Sequence, residues 1–191
     1  MARPRTFNED RAVDAAMTLF WTFGYEGTST QQLCEATGLG RSSIYNTFKS
    51  KRELFDRALR RYMETKTARQ LELIESSDLP IRERVRQILW DAVEPDPADP
   101  LGCLVVNTLV ELAPHEPEVA ELLDRDHAVK IEALATAFRA AQAAGEVDAD
   151  HDPTALADYV FVVLSGLRVA ARAGATRAGQ EAVVASALRT F

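Results

Sequence analysis

The sequence predicts an all-α protein, and three observations carry that expectation. Apolar residues recur at i, i+3, i+4 and i+7 through most of the 191-residue chain. No stretch shows the apolar/polar alternation of a half-buried strand. Gly, Pro, Ser, Thr and Asp punctuate the periodic segments, where helices stop and start.

The elements follow in order. A first helix is expected over about residues 8 to 23, with Asn8 as N-cap, Val13, Ala16, Met17 and Phe20 on one face, and Gly24 as terminator. A second, about 30 to 37, has Thr28 and Ser29 as candidate caps, buries Leu33 and Ala36, and stops at Gly38, which tolerates the left-handed conformation. A third, about 41 to 47, follows after only Gly38, Leu39 and Gly40. Two short helices on so tight a turn form a helix-turn-helix, with Leu39, Ile44 and Phe48 facing inward. Ser50 and Glu53 read as a capping box opening a long fourth helix, whose apolar stripe is Leu54, Phe55, Ala58, Leu59, Tyr62 and Met63. A helix over about 81 to 94 runs into the proline-rich loop EPDPADP, and further helices are expected at about 103 to 113, 117 to 144, 152 to 174 and 177 to 190.

Composition narrows the function classes. With 47% hydrophobic residues the chain can bury a substantial core. Apolar runs such as YVFVVLSGL at 159 to 167 fall short of a bilayer span, and MARPRTFNED lacks a signal-peptide core, so a cytoplasmic protein without a membrane partner is expected. Cys34 and Cys103 are too few for a disulfide framework, and His115, His127 and His151 lack the spacing of a metal pair; neither metal nor cofactor is expected. No nucleophile elbow, P-loop or dinucleotide fingerprint points to an enzyme. The net charge of -7 is unevenly divided: residues 1 to 72 hold 12 Lys/Arg against 9 Asp/Glu, and residues 73 to 191 hold 10 against 20. A basic head can seek phosphates while an acidic body is repelled from them.

The second helix of a helix-turn-helix lies in the major groove with its N-terminal residues at base edges. With Ile44 and Phe48 turned inward, helical periodicity leaves Arg41, Ser42, Tyr45 and Asn46 outside and able to reach bases or phosphates. Lys51 begins the next helix, where a cation opposes the helix dipole; a bound phosphate, held also by the helix-start amides, would account for it. Arg3 and Arg5 form either a basic arm for phosphate and minor-groove contacts or an ordinary solvated terminus.

The segment RPRTFNEDRAVDAAMTLFWTFGYEGTSTQQLCEATGLGRSSIYNTFKSKRELFDRAL resembles the DNA-binding domain of TetR-family transcriptional regulators from end to end. The Phe20-Trp21 pair, Gly24-Tyr25, Thr28-Ser29, Gly38, Ile44-Tyr45, Phe48 and Ser50-Lys51 carry the likeness, with Gly40 a departure where many relatives have a capping side chain. By this resemblance DNA contacts fall on Thr28, Arg41, Ser42, Ser43, Tyr45, Asn46, Thr47 and Lys51. It implies a helix-turn-helix domain over residues 1–52 and a ligand-binding and dimerisation domain over 53–191.

In the body, PLGCLVVNTLVELAPHEPEV at 100 to 119 and GLRVAARAGATRAGQEAVVASAL at 166 to 188 resemble one branch of the family, in which an effector pocket and a dimer seam are expected. Candidate pocket residues are Trp90, Cys103, Asn107, Tyr159 and Phe161. Cys103, after Gly102 at a helix start, is either a reactive thiol or a buried packing residue. The last two helices carry Leu156, Tyr159, Val160, Val163, Leu164, Leu167, Val183, Val184, Ala187 and Leu188 among small residues, a composition suited to a four-helix bundle between two protomers. The expected function is a homodimeric repressor that leaves a palindromic, double-stranded operator when a small-molecule effector binds. The alternatives are an activator of the same fold, and a small helical enzyme or carrier.

Overall fold

The computed structural model describes residues 9–76 and 78–191, and every regular element in them is helical. The helices are α1 (Glu9–Phe23), α2 (Thr30–Thr37), α3 (Arg41–Phe48), α4 (Lys51–Glu75), α5 (Ile81–Val93), α6 (Leu104–Glu111), α7 (Pro117–Ala143), α8 (Pro153–Arg172) and α9 (Arg177–Ala187). Each sequence-expected helix is present, with ends shifted by a few residues at most. The expected cap at Asn8 and the arm bearing Arg3 and Arg5 lie outside the described residues.

Two hydrophobic clusters form along α4. In the first, Phe20 of α1, Leu33 of α2, and Ile44 and Phe48 of α3 close on Phe55 and Leu59 of α4, and the cluster continues into Leu104 of α6 and Leu123 of α7. Phe20 is fully buried and meets the edge of Phe55 at 5.1 Å between ring centroids. The second cluster joins Ile74 at the far end of α4 to α5, the later half of α7, α8 and α9. Because α4 is 25 residues long, it reaches from the head into the body.

Capping explains the local boundaries. Ser29 and Gln32 form a reciprocal capping box at the start of α2, and Gly38 closes that helix at φ 68°. Ala36 is exposed rather than buried, because an eight-residue helix crossing the head turns only Leu33 fully inward. The box expected at Ser50 and Glu53 is half formed: Ser50 Oγ accepts the Glu53 N–H at 3.0 Å, but the Ser50 N–H goes to the Phe48 carbonyl. Lys49, the one non-glycine residue at positive φ among those described, makes the sharp link from α3 to α4.

Among the described helices, α8 alone is long and apolar enough to cross a bilayer, with 20 residues and a mean hydropathy of 1.5. This exceeds the sequence expectation, which considered shorter runs. Its Leu156, Val160, Leu164 and Leu167 are buried in the chain's own core, as expected for a central helix of a bundle.

Candidate nucleic-acid interface and effector cavity

The helix-turn-helix places a polar face outside. Ile44 and Phe48 are buried, whereas Arg41, Ser42, Ser43, Tyr45 and Asn46 are exposed on the other side of α3 and Thr47 is half-buried at its edge. Gly40 caps α3 without a side-chain hydrogen bond, which leaves the first amides of the helix without a side-chain acceptor. The Arg41 guanidinium lies over the Tyr45 ring at 5.8 Å. Hydrogen bonds from Thr30 and then from Arg41 hold the Tyr45 phenol below its usual range.

One expectation changes. Thr28 is fully buried: its hydroxyl donates to the Gly24 carbonyl at 2.6 Å, so it braces the α1–α2 turn and its side chain is not presented to DNA. Lys51, expected to need a phosphate, already has a neighbour in the face of the Tyr25 ring, 4.4 Å from Nζ. The half-buried Lys51 still stands at the start of α4.

The head is tied to the body by hydrogen bonds to the end of α1. Asn107 of α6 donates to the Trp21 carbonyl at 3.1 Å, and Arg172 of α8 donates to the Trp21 and Thr22 carbonyls at 3.1 and 2.7 Å. These are carbonyls that the last turn of a helix leaves open, so side chains from the body cap them. On the other side of the turn, Glu111 accepts the backbone N–H groups of Tyr25 at 2.9 Å and Glu26 at 2.7 Å. Gly24, at φ 79°, permits this approach; a Cβ there would lie 2.8 Å from the Glu111 carboxylate. Arg52 adds an ion pair to Glu116, ahead of α7.

Between α4, α6, α7 and α8 the body encloses a cavity of about 350 Å³. Its apolar wall includes Met63, Val106, Leu123, Phe161 and Leu164, and its polar groups include Tyr62, Lys66, His127 and Arg168. Of the expected lining residues, Cys103 and Phe161 border this cavity. Cys103 and Asn107 border a second, more open groove of about 470 Å³ between the end of α1, α6 and α8. Trp90 and Tyr159 line neither. Trp90 packs on the α5–α8–α9 core and its indole donates to Glu94 at 3.2 Å, while Tyr159 is on the outer face of α8.

Cys103 is the N-cap residue of α6 and is 2% exposed. Its sulfur accepts from the Tyr62 hydroxyl and the Arg168 guanidinium, both at 3.4 Å. Burial, reinforced by Cys103, pushes the Tyr62 phenol well above its usual range, so it remains a neutral donor. Sequence reading passed over Tyr62 and Met63 because their helical spacing matched a core stripe. Arg168 did leave a signal, a lone cation inside the apolar stretch 159–171.

The outer face of α8 presents Tyr159, Val162, Gly166 and Val169 to solvent at helical spacing, beside exposed Val183 of α9. By contrast Leu156, Val160, Leu164 and Leu167, read from sequence as part of the same stripe, are buried within the chain, and Val163 packs against the core.

A helix-turn-helix with an outward polar recognition face, anchored on a helical body that encloses a cavity, defines a DNA-binding transcriptional regulator. Residues 12–58 match the family described as bacterial regulatory proteins, tetR family, and residues 81–187 match the tetracyclin repressor-like C-terminal domain. The chain is 34% identical over 178 residues to the HTH-type transcriptional repressor ComR of Escherichia coli (strain K12), covering 91% of this chain and 84% of that protein. It is 33% identical over 163 residues to the HTH-type transcriptional regulator YezE of Bacillus subtilis (strain 168), covering 84% of each. A cysteine-substituted TetR family transcriptional regulator, CifR, complexed with 26bp double-strand operator DNA, superposes with a TM-score of 0.86 at 33% identity over 100% of both chains. The chain belongs to the TetR family of transcriptional regulators.

Proposed function

We propose that the protein is a homodimeric, cytoplasmic repressor, without catalytic activity, that binds a palindromic double-stranded operator and leaves it when a small-molecule effector enters the body. The observation that carries this reading is the α3 face, where Arg41, Ser42, Ser43, Tyr45 and Asn46 are exposed opposite buried Ile44 and Phe48. Residues 1–52 do the reading, and 53–191 hold the effector cavity and the dimer seam. The outer faces of α8 and α9 pair about a two-fold axis, which spaces the two recognition helices by roughly one DNA turn, ~34–36 Å. An effector that binds better to the state with a different spacing drives release. The similarity to a repressor and to a regulator complexed with operator DNA supports this reading.

A mobility-shift titration with the DNA upstream of the protein's own gene tests it. A specific, saturable complex is expected, and its absence with that DNA and with DNA flanking adjacent genes would refute the reading. Arg41→Ala is expected to cost ~1–3 kcal/mol and relax base preference at one position per half-site. Lys51→Ala is expected to weaken all sequences alike and reduce the salt slope by about 1. If neither variant changes operator affinity, α3 is not the reading element. Derepression of neighbouring genes in a deletion strain separates repressor from activator.

A further inference from the structure

We propose that the cavity between α4, α6, α7 and α8 binds a small organic monoanion, a carboxylate whose head is held by Arg168 and Tyr62 and whose hydrocarbon part lies on the Met63, Leu123 and Phe161 wall. This rests on the reading of the protein as an effector-responsive regulator and specifies its ligand class.

The argument begins with the cations that border the cavity. Lys66 is paired with Asp99 at 2.5 Å, and Lys130 with Asp126 at 2.5 Å, so both charges are compensated at close range. Arg168 is not. Its side chain is 15% exposed, and its nearest carboxylate, Asp91, stands 3.6 Å away and is shared with Arg69 at the same distance. Its other partner is the Cys103 sulfur at 3.4 Å, a weak acceptor. A guanidinium so far removed from water needs acceptors, and a carboxylate supplies two in the planar geometry that matches its fork.

The surroundings fit the same head group. The Tyr62 hydroxyl, 3.4 Å from the same sulfur, is a neutral donor that can turn to a carboxylate oxygen. The first turn of α6 begins beside these groups without a side-chain cap, so its positive end faces the same place. One under-compensated cation calls for one negative charge; a dianion would bury an unpaired charge. The volume of about 350 Å³ is at the small end of ligand pockets and suits a short aliphatic or monocyclic acid. Asp124 and His127, which also line the cavity, are exposed to solvent.

The test is calorimetric titration of the full-length protein with straight-chain acids from butanoate to decanoate, with benzoate and with phenylacetate, each beside its primary amide. At least one acid is expected to bind ~10-fold or more tightly than its amide, a difference of about 1.4 kcal/mol. In Arg168→Met that preference is expected to vanish, and in Arg168→Lys to survive in part. No binding by any acid, equal binding of acids and amides, or an acid preference unchanged in Arg168→Met would overturn the proposal. Should Arg168→Met fail to fold, the wild-type comparison and Arg168→Lys decide. Operator binding in the mobility-shift assay is independent of these results. A protein that binds operator but prefers no acid refutes the anion site alone, whereas one that binds no operator refutes the regulator reading.

Discussion

Val169→Asp is expected to yield a folded monomer whose affinity for a two-half-site operator falls by ~100-fold or more. Val169 is 54% exposed in the single chain, so a carboxylate there costs little within one protomer. In a paired α8 seam the same carboxylate is buried without a partner, and its desolvation opposes association. Val183→Asp on α9, where the valine is 46% exposed, is expected to act in the same direction. Two heads joined in one dimer bind the second half-site as an intramolecular event, and that advantage disappears in a monomer. Analytical ultracentrifugation and circular dichroism give the readout. A wild-type protein that is monomeric at micromolar concentration, or folded variants that remain dimeric, would remove this seam from the account. Leu167 is unsuitable for the experiment: it is 3% exposed in the chain's own core, so a charge there would unfold the protomer.

Glu111→Ala is expected to lower the unfolding free energy by ~1–3 kcal/mol, because two backbone donors lose one shared acceptor. The Tyr25 and Glu26 amides that Glu111 receives at 2.9 and 2.7 Å should then exchange with solvent faster than in the wild type. Combined with Arg172→Ala, which uncaps the Thr22 carbonyl and leaves the Trp21 carbonyl to Asn107 alone, the change should also cost operator affinity by about 10-fold. Two heads free to rock on their bodies lose the preset spacing that one operator demands, and ordering them is charged to binding. Unchanged exchange at Tyr25 and Glu26 in Glu111→Ala would show that Glu111 does not hold this turn. Full operator affinity in the double variant would show that these ties do not set the spacing.

The reading head was legible in the sequence because its determinants are local. Gly38, the three-residue turn and the Ile44/Phe48 spacing together define two short helices and the face between them that stays wet. The polar face of α3 follows from that periodicity, and the charge contrast between the two parts of the chain needs no coordinates at all. Thr28 shows where locality fails: the family resemblance implied a DNA contact, and only the packing of α1 against α2 turns its hydroxyl in to the Gly24 carbonyl.

The body obeys a different logic. Helical spacing shows that α8 is apolar on several sides, but not which side meets the chain's own core and which meets solvent; that depends on where α5, α7 and α9 pack around it. The cavity is likewise made by four helices brought together from residues 62 to 168, so Trp90 and Tyr159, chosen by residue type, fall outside it, while Tyr62, Met63 and Arg168 fall inside. The ties from Asn107, Glu111 and Arg172 to the end of α1 join residues about 85 to 150 positions apart. Periodicity and capping act over a few residues and therefore settle helices and their faces. Burial, charge compensation and cavity shape depend on chain segments remote in sequence, so for this protein they are properties of the packed fold.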